Sequence, residues 1–267
     1  MDFKIQNLLP QNHKRNEGGG IECIVSLTSF PQRIKYVKYT IFSLLGQTYT
    51  PQKIILWLAN EQFPNNKIPN SLLKLQRLSK GRFEILWCDD LKSYKKLIPS
   101  LQSFKNTPII TADDDVYYNS RWLEYLWESY QKNKNCIHTH MATVIQNSPY
   151  STWREIYPIQ KEDFKILGIG VGGILYPPNC FHKDILDIHN FQKLAPLGDD
   201  LYFWAMAVLS GTKIKLIDKA LGHPKHTLNF WNSPNLYEKN CYENLNDVQF
   251  QRILEHYPQI KQLIYGE

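Results

Sequence analysis

Long apolar runs are absent from this 267-residue chain. No stretch approaches the roughly 18 residues that crossing a bilayer requires. The opening MDFKIQNLLPQNHKRNEGGG also lacks the continuous apolar segment of a signal peptide. The expectation is a cytoplasmic protein whose nearest approach to a bilayer is peripheral association with the inner membrane face. Paired cysteines are missing too. The five present (Cys23, Cys88, Cys136, Cys180 and Cys241) are odd in number and scattered, with no CxxC pair. That argues against a disulfide framework or a zinc site and fits a reducing compartment. Charge of one sign is only moderately in excess, +6, and no dense basic tract or basic amphipathic helix occurs. A surplus of this size attracts phosphates of any kind, and no nucleic-acid partner is expected from it. Repeats and low-complexity tracts are absent.

What is present is a globular composition, 43% apolar and 21% charged, rich in aromatics at 13%. Most of the 16 Tyr and 7 Trp belong in a core, although such rings also suit sugar stacking. At this length one α/β domain with elaborations is expected, with residues 1–20 a flexible leader ending in Gly18-Gly19-Gly20. Strand and helix patterns then alternate. Ile21 to Leu27, Lys53 to Leu58, Phe83 to Trp87 and Pro108 to Ala112 read as buried strands. Between them, helical spacing runs from Ile34 to Leu45 before Gly46, from Leu72 to Leu78, and from Ser93 to Phe104. This order predicts βαβ units and a mainly parallel sheet. Beyond residue 135 the pattern is irregular. A strand is expected near Ile137, a glycine-rich stretch at 168–173, a helix from Leu201 to Leu209 stopped by Gly211, and a strand from Lys213 to Ile217. Residues 21–118 read as a nucleotide-binding half and 119–267 as an acceptor-side half of one domain.

Asp113, Asp114 and Asp115 follow directly on the fourth strand. Open parallel sheets bind ligands at the carboxyl ends of their strands. Three adjacent carboxylates there repel one another unless a cation neutralises them, and a hard ion such as Mn²⁺ or Mg²⁺ takes oxygen ligands while keeping sites for phosphate. Alternation along an extended segment would point Asp113 and Asp115 one way and Asp114 the other. The plainer reading is a solvated acidic turn capping a helix that begins near Ser120.

The run TPIITADDDVYYNSRWLEYL resembles the Asp-x-Asp segment of glycosyltransferases with the GT-A fold. VSLTSFPQRI, TIFSLLGQTYTPQKIILWL, LWCDDLKSYKKLIPSL, GVGGILYPP and APLGDDLYFWAMAVLSGTKI are similar, in this order, to bacterial family-2-like transferases of lipopolysaccharide and capsule synthesis. The resemblance covers about residues 21 to 257. It implies a Rossmann-like GT-A fold with a small antiparallel addition, and transfer of a hexosyl or N-acetylhexosaminyl unit from a nucleoside-diphosphate sugar, UDP-linked in the family pattern, to an oligosaccharide or lipid-linked glycan. It further implies that Asp115 binds the metal, with Asp113 at the ribose or the metal and Asp114 beside them. Thr28, Phe30 and Arg33 would face base and ribose, and Asp90 and Lys95 would lie at the nucleotide. One departure is that the second strand ends Trp57-Leu58-Ala59-Asn60, where many members carry an acidic residue for the base.

Asp199 and Asp200 precede an apolar helix and read first as capping residues. The resemblance places there the general base of an inverting transferase, Asp200, with Asp199 the alternative. Gly168, Gly170, Gly172 and Gly173 form no dinucleotide loop, since no βαβ unit surrounds them. They read as a tight bend or, at Gly172 and Gly173, as backbone approaching the donor sugar closely. His223 and His226 lack the further Cys or His that a zinc site needs. His226 is a solvated loop residue or, by resemblance, a metal ligand, and Trp231 packs in the core or stacks on a sugar. Two rival readings are a sugar-nucleotidyltransferase, whose glycine-rich phosphate loop is missing after the first strand, and a non-catalytic glycan-binding protein of the same fold.

Overall fold

The apolar runs of the first half become strands β1 (Ile21–Thr28), β2 (Pro51–Ala59), β3 (Phe83–Cys88) and β4 (Ile109–Thr111). They are joined through helices α1 (Val37–Leu45), α2 (Asn70–Leu78) and α3 (Ile98–Ser103). The computed structural model describes residues 20–156, 161–227 and 244–266, so the expected leader lies outside the described residues except for Gly20, as do Cys241 and Trp231. After the aspartates come β5 (Val116–Tyr117), α4 (Trp122–Lys132), β6 (Ile137–Thr139), β7 (Ala142–Val144), β8 (Ile166–Gly168) and β9 (Ile174–Tyr176). The chain continues through α5 (Ile188–Leu194), α6 (Asp199–Leu209), β10 (Ile214–Leu216), β11 (Lys225–His226), α7 (Leu245–His256) and α8 (Gln259–Tyr265).

The central sheet has seven strands in the order β10-β6-β9-β4-β1-β2-β3. β1 runs parallel to β2 and β4, β2 parallel to β3, and β10 parallel to β6. β9 is antiparallel to both its neighbours, β4 and β6. Strands from residues 119–267 thus continue the sheet begun by residues 21–118. Two small antiparallel ribbons, β11-β5 and β7-β8, complete the mixed α/β arrangement.

Helices cover both faces. Val37, Ile41, Leu44, Leu72, Leu75, Leu123 and Leu126 from α1, α2 and α4 pack with Val25, Leu27 and Leu56 on one side. Phe191, Leu201, Phe203, Ile253 and Ile260 from α5 to α8 pack with Ile109, Ile174 and Ile214 on the other. α6 buries every residue from Leu201 to Val208, as its all-round apolarity predicts. Gly211, at φ +76°, supplies the left-handed residue just past its end.

Two expectations are corrected. The helix expected over Ser93 to Phe104 breaks into a 3-10 turn, Lys92–Lys96, and the short α3, with Pro99 in its first turn. Proline has no N–H to donate back along a helix, so a helix starts around it instead of passing through it. The C-terminal helices α7 and α8 were not foreseen. Each buries only a thin stripe (Phe250, Ile253 and Leu254; Ile260 and Ile264) against a mostly polar remainder. Among the described residues no helix is long and apolar enough to cross a membrane.

Candidate active site

Parallel neighbours deliver their carboxyl ends to one edge of a sheet, and β1 and β4 are such neighbours. Residues 29–33 and the aspartate triplet therefore leave the sheet side by side. β9 runs the other way, so its amino end, the glycine stretch, comes to the same edge. The topology alone thus assembles three segments far apart in sequence.

The aspartates do not extend the strand. A tight turn at Asp114 and Asp115 leads into β5, and the expected alternation gives way to convergence on Arg33. Its Nη1 donates to Asp114 Oδ1 at 3.1 Å and to Asp115 Oδ2 at 2.7 Å. Ser29 Oγ donates to Asp114 Oδ2 at 2.5 Å, and Lys96 Nζ donates to Asp113 Oδ1 at 3.3 Å. Nor is this a solvated helix cap: Asp114 and Asp115 are 6% and 8% exposed, and β5 stands between them and α4. Burial raises the carboxyl pKa of Asp114 against the opposing pull of Arg33 and Ser29. Burial likewise pushes Asp115 up to about 7, because one shared guanidinium does not fully repay its lost hydration.

A second acidic group faces the first across Lys96. This ammonium, on a residue only 6% exposed, lies 2.8 Å from Asp199 Oδ2 and 3.8 Å from Asp200 Oδ1, in addition to Asp113. The Asp199 contact is an ion pair without hydrogen-bond alignment. Burial works against the lysine charge, but Asp113, Asp199 and Asp200 overcome it and hold the Lys96 pKa well above the ordinary value. Gly170 N donates to Asp200 Oδ2 at 2.8 Å, while Oδ1 has no hydrogen-bond partner. The Asp200 carboxyl is pushed up to about 7 by its burial and by the charges of Asp199 and Asp113, against Lys96. Neither aspartate is the N-cap of α6. That position is Gly198, without a side-chain bond, and both acids sit in the first turn, where the helix dipole favours them.

The glycines have structural reasons of their own. A Cβ on Gly170 would stand 2.7 Å from Asp200 Oδ1 and 2.9 Å from Lys96 Nζ. One on Gly172 would meet Met141 Cγ at 2.7 Å, and one on Gly173, at φ +92°, the Trp122 ring at 2.4 Å. The close approach at Gly172 and Gly173 is therefore to the protein's own side chains. Trp122 Nε1 donates to Gly172 O at 2.7 Å, locking the bend.

His226 reaches the aspartates through β11, which pairs with β5 so that His226 lies opposite Val116. Thr227 N donates to Asp115 O at 2.7 Å, and the His226 ring bonds to the Asp115 backbone. Its partial burial, with His223 and Arg33 nearby, lowers its pKa and favours the neutral ring. His223 turns instead to Glu155, 2.9 Å away. Asp90 and Lys95 pair with each other at 2.6 Å, and Gln62 adds a bond to Asp90 at 2.7 Å. Burial opposes the Asp90 charge, but Lys95 outweighs it and lowers that pKa. The Thr28 hydroxyl ties β1 to Trp57 O at 2.9 Å, and the Phe30 ring lies under the Arg33 guanidinium, 5.4 Å from its centre.

The sequence reading passed over Lys96 and Tyr118 and took Ser29 and Gly170 only as parts of longer segments; the Tyr118 hydroxyl accepts from Asp113 N at 2.8 Å and donates to Val171 O at 3.2 Å. The available signal was a Lys-Lys pair inside the otherwise apolar turn SYKKLIPSL. Among the described residues no group of three His, Cys, Asp or Glu side chains stands in ready metal-binding geometry. The donor chemistry nevertheless fits a hard divalent ion: among the described residues, Asp113, Asp114, Asp115, Asp199 and Asp200 gather around Arg33 and Lys96, five carboxylates to two cations.

No protein-family model matches the sequence, and no curated protein matches it significantly. Solved structures do. S. aureus TarS 1-349 in complex with UDP-GlcNAc is 12% identical with a TM-score of 0.54, over 91% of this chain and 73% of that one. The crystal structure of GalNAc-T7 with UDP, GalNAc and Mn²⁺ is 13% identical with a TM-score of 0.55, over 94% of this chain and 53% of that one. At such identities the likeness is one of fold, and this chain has the mixed α/β GT-A-type fold of these two structures.

Proposed function

We propose that the chain is a metal-dependent glycosyltransferase. It moves a hexosyl or N-acetylhexosaminyl unit from a nucleoside-diphosphate sugar, in the first instance a UDP-sugar, to the hydroxyl of an oligosaccharide or lipid-linked glycan. The carrying observation is the excess of five carboxylates over two cations at the carboxyl edge of the sheet, at Asp113, Asp114, Asp115, Asp199 and Asp200. A site this negative repels a diphosphate unless a divalent cation comes with it. Asp115, Asp113 and His226 would hold Mn²⁺ or Mg²⁺, which supplies neutralisation of charge on the leaving diphosphate. The presence of UDP-GlcNAc on TarS, and of UDP and Mn²⁺ on GalNAc-T7, supports the same reading.

The chain's own residues divide the work. Arg33 and Ser29 orient Asp114 and hold the turn that presents Asp113 and Asp115. Asp200 takes the acceptor hydroxyl proton as that oxygen bonds to the sugar carbon opposite the departing diphosphate, a single displacement that breaks the sugar–phosphate bond and inverts the centre. Its carboxylate accepts only one hydrogen bond and titrates near neutrality, where a general base works best. Asp199 is the buried anchor, with a side chain 10% exposed against 30% for Asp200. The sequence resemblance supports a role in bacterial surface polysaccharide synthesis, in the cytoplasm or at the inner membrane face.

Calorimetry tests the reading. UDP should bind in Mn²⁺, and its affinity should fall at least about tenfold with EDTA or with Asp115→Ala, as expected when a bridging metal or its ligand is lost. Equal affinity in all three conditions would remove the metal from the proposal.

A further inference from the structure

We propose that Lys96 is the positioning residue of this site: its ammonium holds Asp200 in place against the aspartate turn, fixing the base relative to the donor carboxylates. The inference rests on the glycosyltransferase reading above. Lys96 touches three carboxylates from two different elements, Asp113 after β4 and Asp199 and Asp200 in α6, at 3.3, 2.8 and 3.8 Å. It is aimed there by the 3-10 turn that Pro99 forces on the chain, and its neighbour Lys95 is turned away to Asp90. The two lysines therefore cannot exchange roles.

Space is as restrictive as charge. Gly170 closes the site from the opposite side so tightly that one methyl group would press on both Asp200 Oδ1 and Lys96 Nζ. A neutral side chain in place of Lys96 leaves Asp113, Asp199 and Asp200 facing one another with no cation between them. Mutual repulsion then turns Asp200 away from the Gly170 N–H or keeps it protonated. Either result removes the base and leaves the Arg33–Asp115 ion pair in place, so the proposed metal site keeps Asp115.

The test compares Lys96→Met, Lys96→Met/Asp199→Asn and Gly170→Ala with wild type. The measurements are turnover of UDP-glucose, UDP-galactose and UDP-N-acetylglucosamine in Mn²⁺, UDP affinity by calorimetry, and melting temperature. Lys96→Met should lower kcat by about 10²-fold, the scale of a reacting group displaced by an ångström, with donor KM and UDP affinity essentially kept. The double variant removes the unpaired Asp199 charge, so it should regain thermal stability while kcat stays low. A lysine that served only to neutralise Asp199 would give back kcat together with the fold, and that result overturns the inference. So does a loss confined to KM. Gly170→Ala keeps the ammonium and displaces Asp200 from the other side, so it decides the matter if the Lys96 variants do not fold: unchanged kcat there also overturns the inference. A folded wild-type protein that neither binds UDP nor turns over any of the sugars defeats the glycosyltransferase reading itself. Active wild type with unimpaired Lys96→Met defeats only the role of Lys96.

Discussion

The two acidic clusters use one residue type under different constraints. At the aspartate turn, Arg33 donates to two nearly buried carboxylates at once, and Ser29 supplies a further bond to Asp114. At the start of α6, one lysine lies within ion-pair distance of both carboxylates, and a backbone N–H carries part of the load on Asp200. The first arrangement suits a rigid pair of ligands, since a forked guanidinium fixes direction as well as charge. The second leaves the Asp200 side chain 30% exposed against 12% for Asp115, although burial raises both carboxyls to about 7. In the proposed reaction, what donates to each carboxylate and how exposed it is would separate the metal-holding aspartates from the base.

The sharpest way to break this comparison is Asp200→Asn. No cap bond is lost, because Gly198 is the N-cap, and the amide oxygen still accepts from Gly170 N. Turnover should fall by about 10²- to 10⁴-fold, the range for lost general-base assistance, while UDP affinity stays near wild type. Loss of affinity in parallel would place Asp200 at the donor. Near-normal turnover would move the test to Asp199.

Gly173→Ala probes the bend that carries Gly170 to Asp200. At φ +92°, with Trp122 2.4 Å from the added carbon, it should cost about 1–3 kcal/mol in denaturant unfolding and reduce turnover more than UDP binding. Gly211→Ala shares the positive φ but meets nothing within 4 Å, so backbone strain alone should cost about 1–2 kcal/mol. Equal costs would mean that the Trp122 contact yields freely.

The pH profile sharpens the assignment of the base. Asp200 must be deprotonated to accept a proton, and its folded pKa is raised to about 7. The rate constant kcat/KM should therefore be low in acid and climb about tenfold per pH unit until it levels off above neutrality. Asp200→Asn should flatten that limb, and a limb unchanged in the variant would assign it to another group. The smallest expected effect is at His226. His226→Ala should lower activity but leave it above that of Asp115→Ala, since a neutral ring on the exposed β11 is lost more cheaply than a buried carboxylate. The opposite ranking would relocate the metal.

Several elements were legible in the sequence because their causes are local. β1 to β4 announce themselves as short apolar runs, α6 as a helix apolar all round, and Gly211 as its stop. The position of Asp113 to Asp115 at a strand end followed from the same counting. Where a local rule was present but read past, as with Pro99 inside SYKKLIPSL, the boundary came out wrong. The amphipathic stripes of α7 and α8 were too thin to count.

The rest depends on contacts that no window of the sequence contains. Ser29 and Asp114 are 85 residues apart, Arg33 and Asp115 are 82 apart, and Gly170 and Asp200 are 30 apart. Their meeting requires β1 beside β4 and a reversed β9, an order of strands that side-chain periodicity does not encode. Residue order is enough to place the carboxylates and, roughly, the sheet edge they reach. Which carboxylate each cation touches, and which side chain stays more exposed, follows from neighbours that meet on folding, because these set burial and charge pairing.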